Sequence, residues 1–160
     1  MLLVLSMLAC SNSRVPEDAI VYDVKVTTYD EATEETTSDS CHPDAGVGYE
    51  ETFAYAVAFE GSSATIYIGE DVFALGTVTG CDLTYSTVVI GEDTEADGAV
   101  KWQLTGTASI DPAEGDACVE GESDWNGTEI FEIVSSEDET LEPGCEYELF
   151  TFGDLSSSGA

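Results

Sequence analysis

Between residues 99 and 110 the side chains alternate in polarity. Val100, Trp102, Leu104, Ala108 and Ile110 fall on one side, and Lys101, Gln103, Thr105, Thr107 and Ser109 on the other. A period of two marks a β-strand with one dry and one wet face. The same pattern sets Ile20, Tyr22, Val24 and Val26 against Val21, Asp23, Lys25 and Thr27. Apolar runs at 53–59, 63–68, 71–78, 81–90, 129–134 and 145–152, separated by Gly and acidic residues, predict six further strands. No segment carries a sustained period of 3.6 residues with helix caps. About eight short strands predict an all-β fold, either a single antiparallel sandwich or a small up-and-down barrel.

The connections are predicted from what breaks the alternation. Residues 30–48 hold six acidic residues with Pro43, Gly46 and Gly48, and read as the longest loop. Residues 111–128 and 135–144 read as long connections, with Asn126-Gly127 as a turn. The Ser-rich end from Gly153 onward reads as a frayed tail. Trp102, Tyr85, Tyr55, Tyr67 and Phe73 fall on predicted inward faces, as core or, in an open barrel, as the lining of a pocket for a small ligand. Trp125 lies in a predicted loop, where it would plug a barrel end or pack on a Cys118–Cys145 bridge.

The sign of the charge is extreme. Thirty-four Asp and Glu face three basic residues, Arg14, Lys25 and Lys101, for a net charge of −31. Self-repulsion on this scale weakens a fold at low ionic strength, and nucleic acid is excluded as a partner for the body. Cations and basic envelope proteins are the charge-compatible partners, and salt water is a sufficient environment, because salt screens the repulsion. With 42% hydrophobic residues and regular alternation, the body is a packed domain and not a disordered acidic chain.

The N-terminus is of another kind. Met1-Leu-Leu-Val-Leu-Ser-Met-Leu-Ala-Cys10 is a short apolar run that stops at a small residue followed by cysteine, and the chain turns polar at Ser11-Asn12-Ser13. The run is too short to span a bilayer, which takes roughly 20 apolar residues. In residues 1–13 it resembles the export signal of bacterial lipoproteins, with Met7-Leu8-Ala9-Cys10 at the modification site. The basic segment that usually precedes such a run is absent, which is consistent with a start upstream of Met1. The resemblance implies that Cys10 is lipidated, giving a membrane partner through an N-terminal lipid anchor. Ser11 after the cysteine implies delivery to the outer membrane, with the body periplasmic or surface-facing. An ordinary cleaved signal ending at Ala9 is the alternative. The resulting organisation is a signal at 1–9, lipidated cysteine and tether at 10–19, an all-β domain at 20–153 and a flexible tail at 154–160.

Four cysteines remain, Cys41, Cys81, Cys118 and Cys145, and an even number in an exported chain reads as two disulfides. Of three connectivities, Cys41–Cys81 with Cys118–Cys145 is favoured, because each would staple a loop to a nearby strand start. Zinc is disfavoured, since CxxC spacing is lacking and His42 is the sole histidine.

No catalytic constellation emerges. His42 sits between Cys41 and Pro43, no serine lies in a nucleophile elbow, and paired carboxylates carry no signal where acids are everywhere; the expectation is a non-enzyme without an obligatory cofactor. Calcium is the sharpest ligand hypothesis. Asp93, Glu95 and Asp97 followed by Gly98 resemble the opening of an acidic calcium loop, but Leu104 stands where a bidentate Glu belongs. Asp111, Asp116 and Asp124 offer a second set of oxygen ligands beside Cys118. The leading expectation is a structural or interaction module of the cell envelope, with a Ca²⁺- or small-ligand-binding β module as the alternative.

Overall fold

A computed structural model describes residues 15–41, 49–92, 98–111, 124–137, 139 and 141–156. The strands are β1 (Ile20–Thr27), β2 (Tyr29–Asp30), β3 (Glu35–Thr36), β4 (Glu50–Glu60), β5 (Ser63–Ile68), β6 (Asp71–Thr79), β7 (Asp82–Glu92), β8 (Ala99–Ile110), β9 (Trp125–Ser136) and β10 (Glu146–Leu155). Eight of them close into an antiparallel barrel in the order β1-β10-β9-β8-β7-β6-β5-β4, and β2 and β3 form a separate hairpin. Of the two all-β architectures open to the sequence, the chain adopts the barrel. Chain neighbours are sheet neighbours throughout, and β10 returns to β1 to leave no free edge.

Alternation explains the closure. In β8 the alternate residues Val100, Trp102, Leu104, Ala108 and Ile110 are buried, and Leu104, Ala108 and Ile110 share the main core with Tyr22, Val24 and Val26 of β1. Tight turns fix the register between β4 and β7. Pairs Glu60↔Ser63, Ile68↔Asp71 and Thr79↔Asp82 each leave a two-residue loop that begins with glycine. Gly61, Gly69 and Gly80 adopt φ of 63°, 63° and 62°, the left-handed conformation that such hairpins demand at the first loop position.

Each end of the barrel is closed differently. At one, Trp125 is fully buried among Tyr22, Tyr55 and Tyr85, with ring centroids 5.4, 5.6 and 6.1 Å away. It is the first residue of β9, so it plugs the barrel end instead of lying in a loop, and the preceding connection ends at residue 124. At the other, Val100, Trp102, Ile133 and Leu141 form a second cluster with Cys41 and Cys145 packed against it.

Several expectations are corrected. Cys41 is bonded to Cys145, with Cα atoms 5.2 Å apart across a separation of 104 residues, so neither Cys41–Cys81 nor Cys118–Cys145 exists. Barrel closure, not nearness in sequence, brings the partners together. Residues 38–40 run beside the start of β10 through Glu148 N–H to Ser38 O and Ser40 N–H to Glu146 O. Part of the expected 30–48 loop is therefore ordered. Cys81 is also disulfide-bonded, and Cys118 lies outside the described residues.

Asn126-Gly127 is not a turn. It lies within β9, where a side chain at Gly127 would overlap the carbonyl oxygen of Thr107 and Ala108. Gly153 to Leu155 belong to β10, with Leu155 paired to Tyr22, so the strand extends into the expected tail. Tyr67 pairs with Ala56, on the face opposite Tyr55, and is buried outside the main core. The expected signal and lipidation site, residues 1–13 with Cys10, lie outside the described residues.

Candidate functional site

Two strands each bury one polar side chain on an otherwise apolar inward face. Along β9, Glu129 points inward and is 2% exposed, while its neighbour Ile130 points outward and is 39% exposed. Along β10, Thr151 and Gly153 face the interior, and Phe150 and Phe152 face out. The chain thus places a carboxylate and a hydroxyl inside, and a row of apolar groups outside, on adjacent strands.

Around Glu129 and Trp125 the buried polar groups are matched. Tyr55 and Tyr85 both donate their phenolic protons to Glu129 Oε1, at 3.0 and 2.7 Å. Register explains the reach of Tyr85: Tyr85, Gly106 and Glu129 are consecutive cross-strand partners on β7, β8 and β9. A Cβ at Gly106 would overlap the Tyr85 ring, so the absent side chain is what lets the phenol cross to the carboxylate. Burial raises the carboxyl of Glu129 above the usual range, against the lowering effect of the two phenol hydrogen bonds. Burial, and then the nearby Glu129, hold Tyr55 and Tyr85 well above the usual tyrosine value. Trp125 Nε1 donates to Thr151 Oγ1 at 3.0 Å. All four aromatic and acidic partners sit beside or within the main core, with Phe73 5.6 Å from Tyr55. The geometry makes a carboxyl–phenol cluster that stabilises the interior. An eight-stranded barrel is just wide enough for side chains to fill it, and these rings occupy that space.

Trp102 differs from Trp125. Its indole N–H is buried and has no hydrogen-bond partner among the described residues.

The expected calcium ligands are partly located. Asp111 and Asp124 stand together at the Trp125 end, joined by the Asp111 N–H to Asp124 O hydrogen bond at 2.8 Å. Asp124 Oδ2 accepts the Leu155 N–H at 2.7 Å, so one carboxylate oxygen already ties β10 to the residue before β9. Tyr22 hydroxyl donates to the Asp111 carbonyl at 2.8 Å; burial and the charges of Asp124 and Asp111 raise its pKa. Asp93, Glu95, Asp97 and Asp116 lie outside the described residues. Among the described residues no group of three or more His, Cys, Asp or Glu converges on a common point.

The outer wall carries the more distinctive surface. Cross-strand pairing aligns Thr77, Thr84, Thr107 and Thr128 in one row over β6 to β9. Thr77 and Thr84 hydroxyls are 3.0 Å apart, and those of Thr107 and Thr128 are 3.4 Å apart. A second row is Leu75, Ser86, Thr105 and Ile130, and a third is Asp82, Ser109 and Asn126. Asp82 is the one charged residue in these three rows, on a chain with 34 acidic residues. Leu75 and Ile90 are 64% and 62% exposed on the same wall.

Where β7 to β10 meet the β2–β3 hairpin, the wall forms a groove of about 530 Å³, lined by Asp30, Asp82, Thr84, Ser109, Asn126, Thr128, Phe150 and Phe152 among others. The two Phe rings stand 6.0 Å apart with planes tilted by 32°. A neighbouring groove of about 410 Å³ continues over Leu75, Thr77, Ser86 and Thr105.

Comparison with protein-family models, with curated proteins and with solved structures gives no match to this chain.

The sequence reading singled out neither Glu129 nor the Phe150–Phe152 pair. Glu129 is one acid among many, and only strand register sends it inward. The Phe pair did carry a signal, since Phe150 and Phe152 share one parity and Leu149 and Thr151 the other.

Proposed function

We propose that the chain is a non-enzymatic interaction module, tethered to the outer membrane through a lipid on Cys10, whose working surface is the outer wall of β6 to β10. The observation that supports it is that Ile130, Phe150 and Phe152 face outward beside rows of threonine, serine and asparagine on β6 to β9. The chain spends interior space on a polar cluster and leaves Ile130 exposed and Phe150 and Phe152 half-buried on the outer wall.

The same wall argues against two other modes of association. A closed barrel offers no edge for strand addition by a partner peptide. Threonine, glutamine and lysine on its outward face do not suit contact with hydrocarbon, which requires an apolar band around a membrane barrel.

Two measurements test the proposal. In cell fractionation the native chain partitions with membranes and Cys10→Ser moves to the soluble fraction; a variant that stays with membranes contradicts the tether. For the wall, a photo-activatable cross-linking residue at Thr107 or Ile130 forms adducts with an envelope component, while one at Thr52 on β4 does not. Adducts absent from both wall positions contradict the surface assignment.

A further inference from the structure

We infer that the groove formed by Asp82, Ser109, Asn126, Thr128, Phe150 and Phe152 is a binding site for a neutral saccharide chain. The inference rests on the proposed use of the outer wall and adds the ligand's chemical class.

Shape and size come first. A groove of about 530 Å³ lies within the usual range for small-ligand sites, and it opens along the barrel wall and not into the interior. It runs across strands spaced roughly 4.8 Å apart, so successive strands present one polar side chain for each sugar-sized step.

The chemistry of the lining then narrows the ligand. Phe150 and Phe152 form one side of the groove, with ring centroids 6.0 Å apart. They are half-buried, and their flanking inward residues, Leu149 and Thr151, supply the core contacts of β10. Aromatic faces of this kind pack against the C–H-bearing face of a pyranose ring. Across the groove, Asn126 presents both a donor and an acceptor, Thr84 and Thr128 present hydroxyls, and Asp82 presents acceptors, while both Asp30 carboxylate oxygens already accept from the Ala32 N–H and the Thr33 hydroxyl. Vicinal sugar hydroxyls act as donor and acceptor at once, and such a mixed set matches them.

Charge excludes the competing ligands. The field of a chain with net charge −31 repels anionic polymers. A cation would require several converging carboxylates, and Asp30 and Asp82 are the two acids lining the groove. A purely apolar ligand would leave Asn126 and the hydroxyls unpaired against it.

Native electrophoresis of the full chain through gels containing dextran, mannan or hydroxyethyl cellulose tests the inference, because neutral polymers add no charge interaction. Migration is expected to be retarded in at least one of these gels and unaffected by acidic alginate. Asn126→Ala, which changes only an exposed side chain, and Phe152→Ala are each expected to weaken the apparent affinity by about tenfold. Their melting temperatures check that the barrel persists. Unchanged mobility in all three neutral gels overturns the saccharide assignment, as does retardation that both variants retain. Wall cross-links from Thr107 or Ile130 in the absence of retardation would overturn the ligand class and leave the docking wall standing.

Discussion

Tyr85 hydrogen-bonds Glu129 at 2.7 Å from two strands away, across the bare backbone of Gly106. The contact joins β7 to β9 inside the barrel and requires that β8 place a glycine between them. Gly106→Ala is therefore expected to displace the Tyr85 ring, break the bond and overpack the interior, at about 2–4 kcal/mol. Chemical denaturation checks this; a loss below about 1 kcal/mol, the scale of a single net hydrogen bond, would contradict it.

Glu129 makes stability depend on pH in a defined direction. Burial raises its carboxyl in the folded state, so the folded chain holds that proton more tightly than the unfolded chain. Its contribution is complete below the ordinary carboxylate range and is lost as pH rises through the raised value. Glu129→Gln keeps a carbonyl acceptor for Tyr55 and Tyr85 without the ionisation. Relative to the parent, its melting temperature is expected to match near pH 4 and to rise toward about pH 8. A constant offset between the two curves would contradict the assignment.

The two tryptophans are expected to respond unequally to the same substitution. Trp125→Phe loses the bond to Thr151, strands a buried hydroxyl and opens space among three tyrosines, at about 2–4 kcal/mol. Trp102→Phe removes an N–H without a partner among the described residues, which offsets part of the lost packing and holds the cost to about 1–2 kcal/mol. Equal losses in denaturant titrations would contradict the distinction.

Reduction of Cys41–Cys145 frees a separation of 104 residues. Cross-links over that length stabilise by up to about 4–5 kcal/mol through the unfolded chain. Cys41→Ala with Cys145→Ala is expected to lower the melting temperature by more than 10 °C, at roughly 3 °C or more per kcal/mol for a domain of this size. A shift of only a few degrees would place the stabilisation elsewhere.

What the sequence conveyed, and what it withheld, divides along physical lines. Strand number and face were legible in β1 and β8, because Tyr22, Val24, Val26 and the Val100–Ile110 series alternate cleanly against polar residues. Closure into a barrel was not legible, because alternation states that one face is dry and not whether two sheets or one curved sheet covers it. The disulfide was misassigned for the same reason: Cys145 meets Cys41 only when residues 38–40 lie beside β10. Asn126-Gly127 reads as a turn, because Asn-Gly is a strong local signal that tertiary packing against Ala108 overrides. The Glu129 cluster depends on a register across three strands that no single strand encodes. In the outer groove, the alternating Phe150 and Phe152 were readable, but the row of threonines beside them appears only once four strands are aligned.

Charge is expected to act through screening. At matched ionic strength, CaCl₂ and NaCl should raise the melting temperature equally, since either salt weakens the repulsion among 34 acidic residues. A larger effect of calcium would direct attention to the loops holding Asp93 to Asp97 and Asp111 to Asp124.

The central claim is that the barrel works from its wall and not from its interior. The most direct measurement compares Phe152→Ala with Glu129→Gln for retardation in the neutral polysaccharide gel that the native chain recognises. The account expects Phe152→Ala to weaken retardation by about tenfold in apparent affinity and Glu129→Gln to leave it intact. Retardation lost in Glu129→Gln and kept in Phe152→Ala would move the site into the barrel and contradict it.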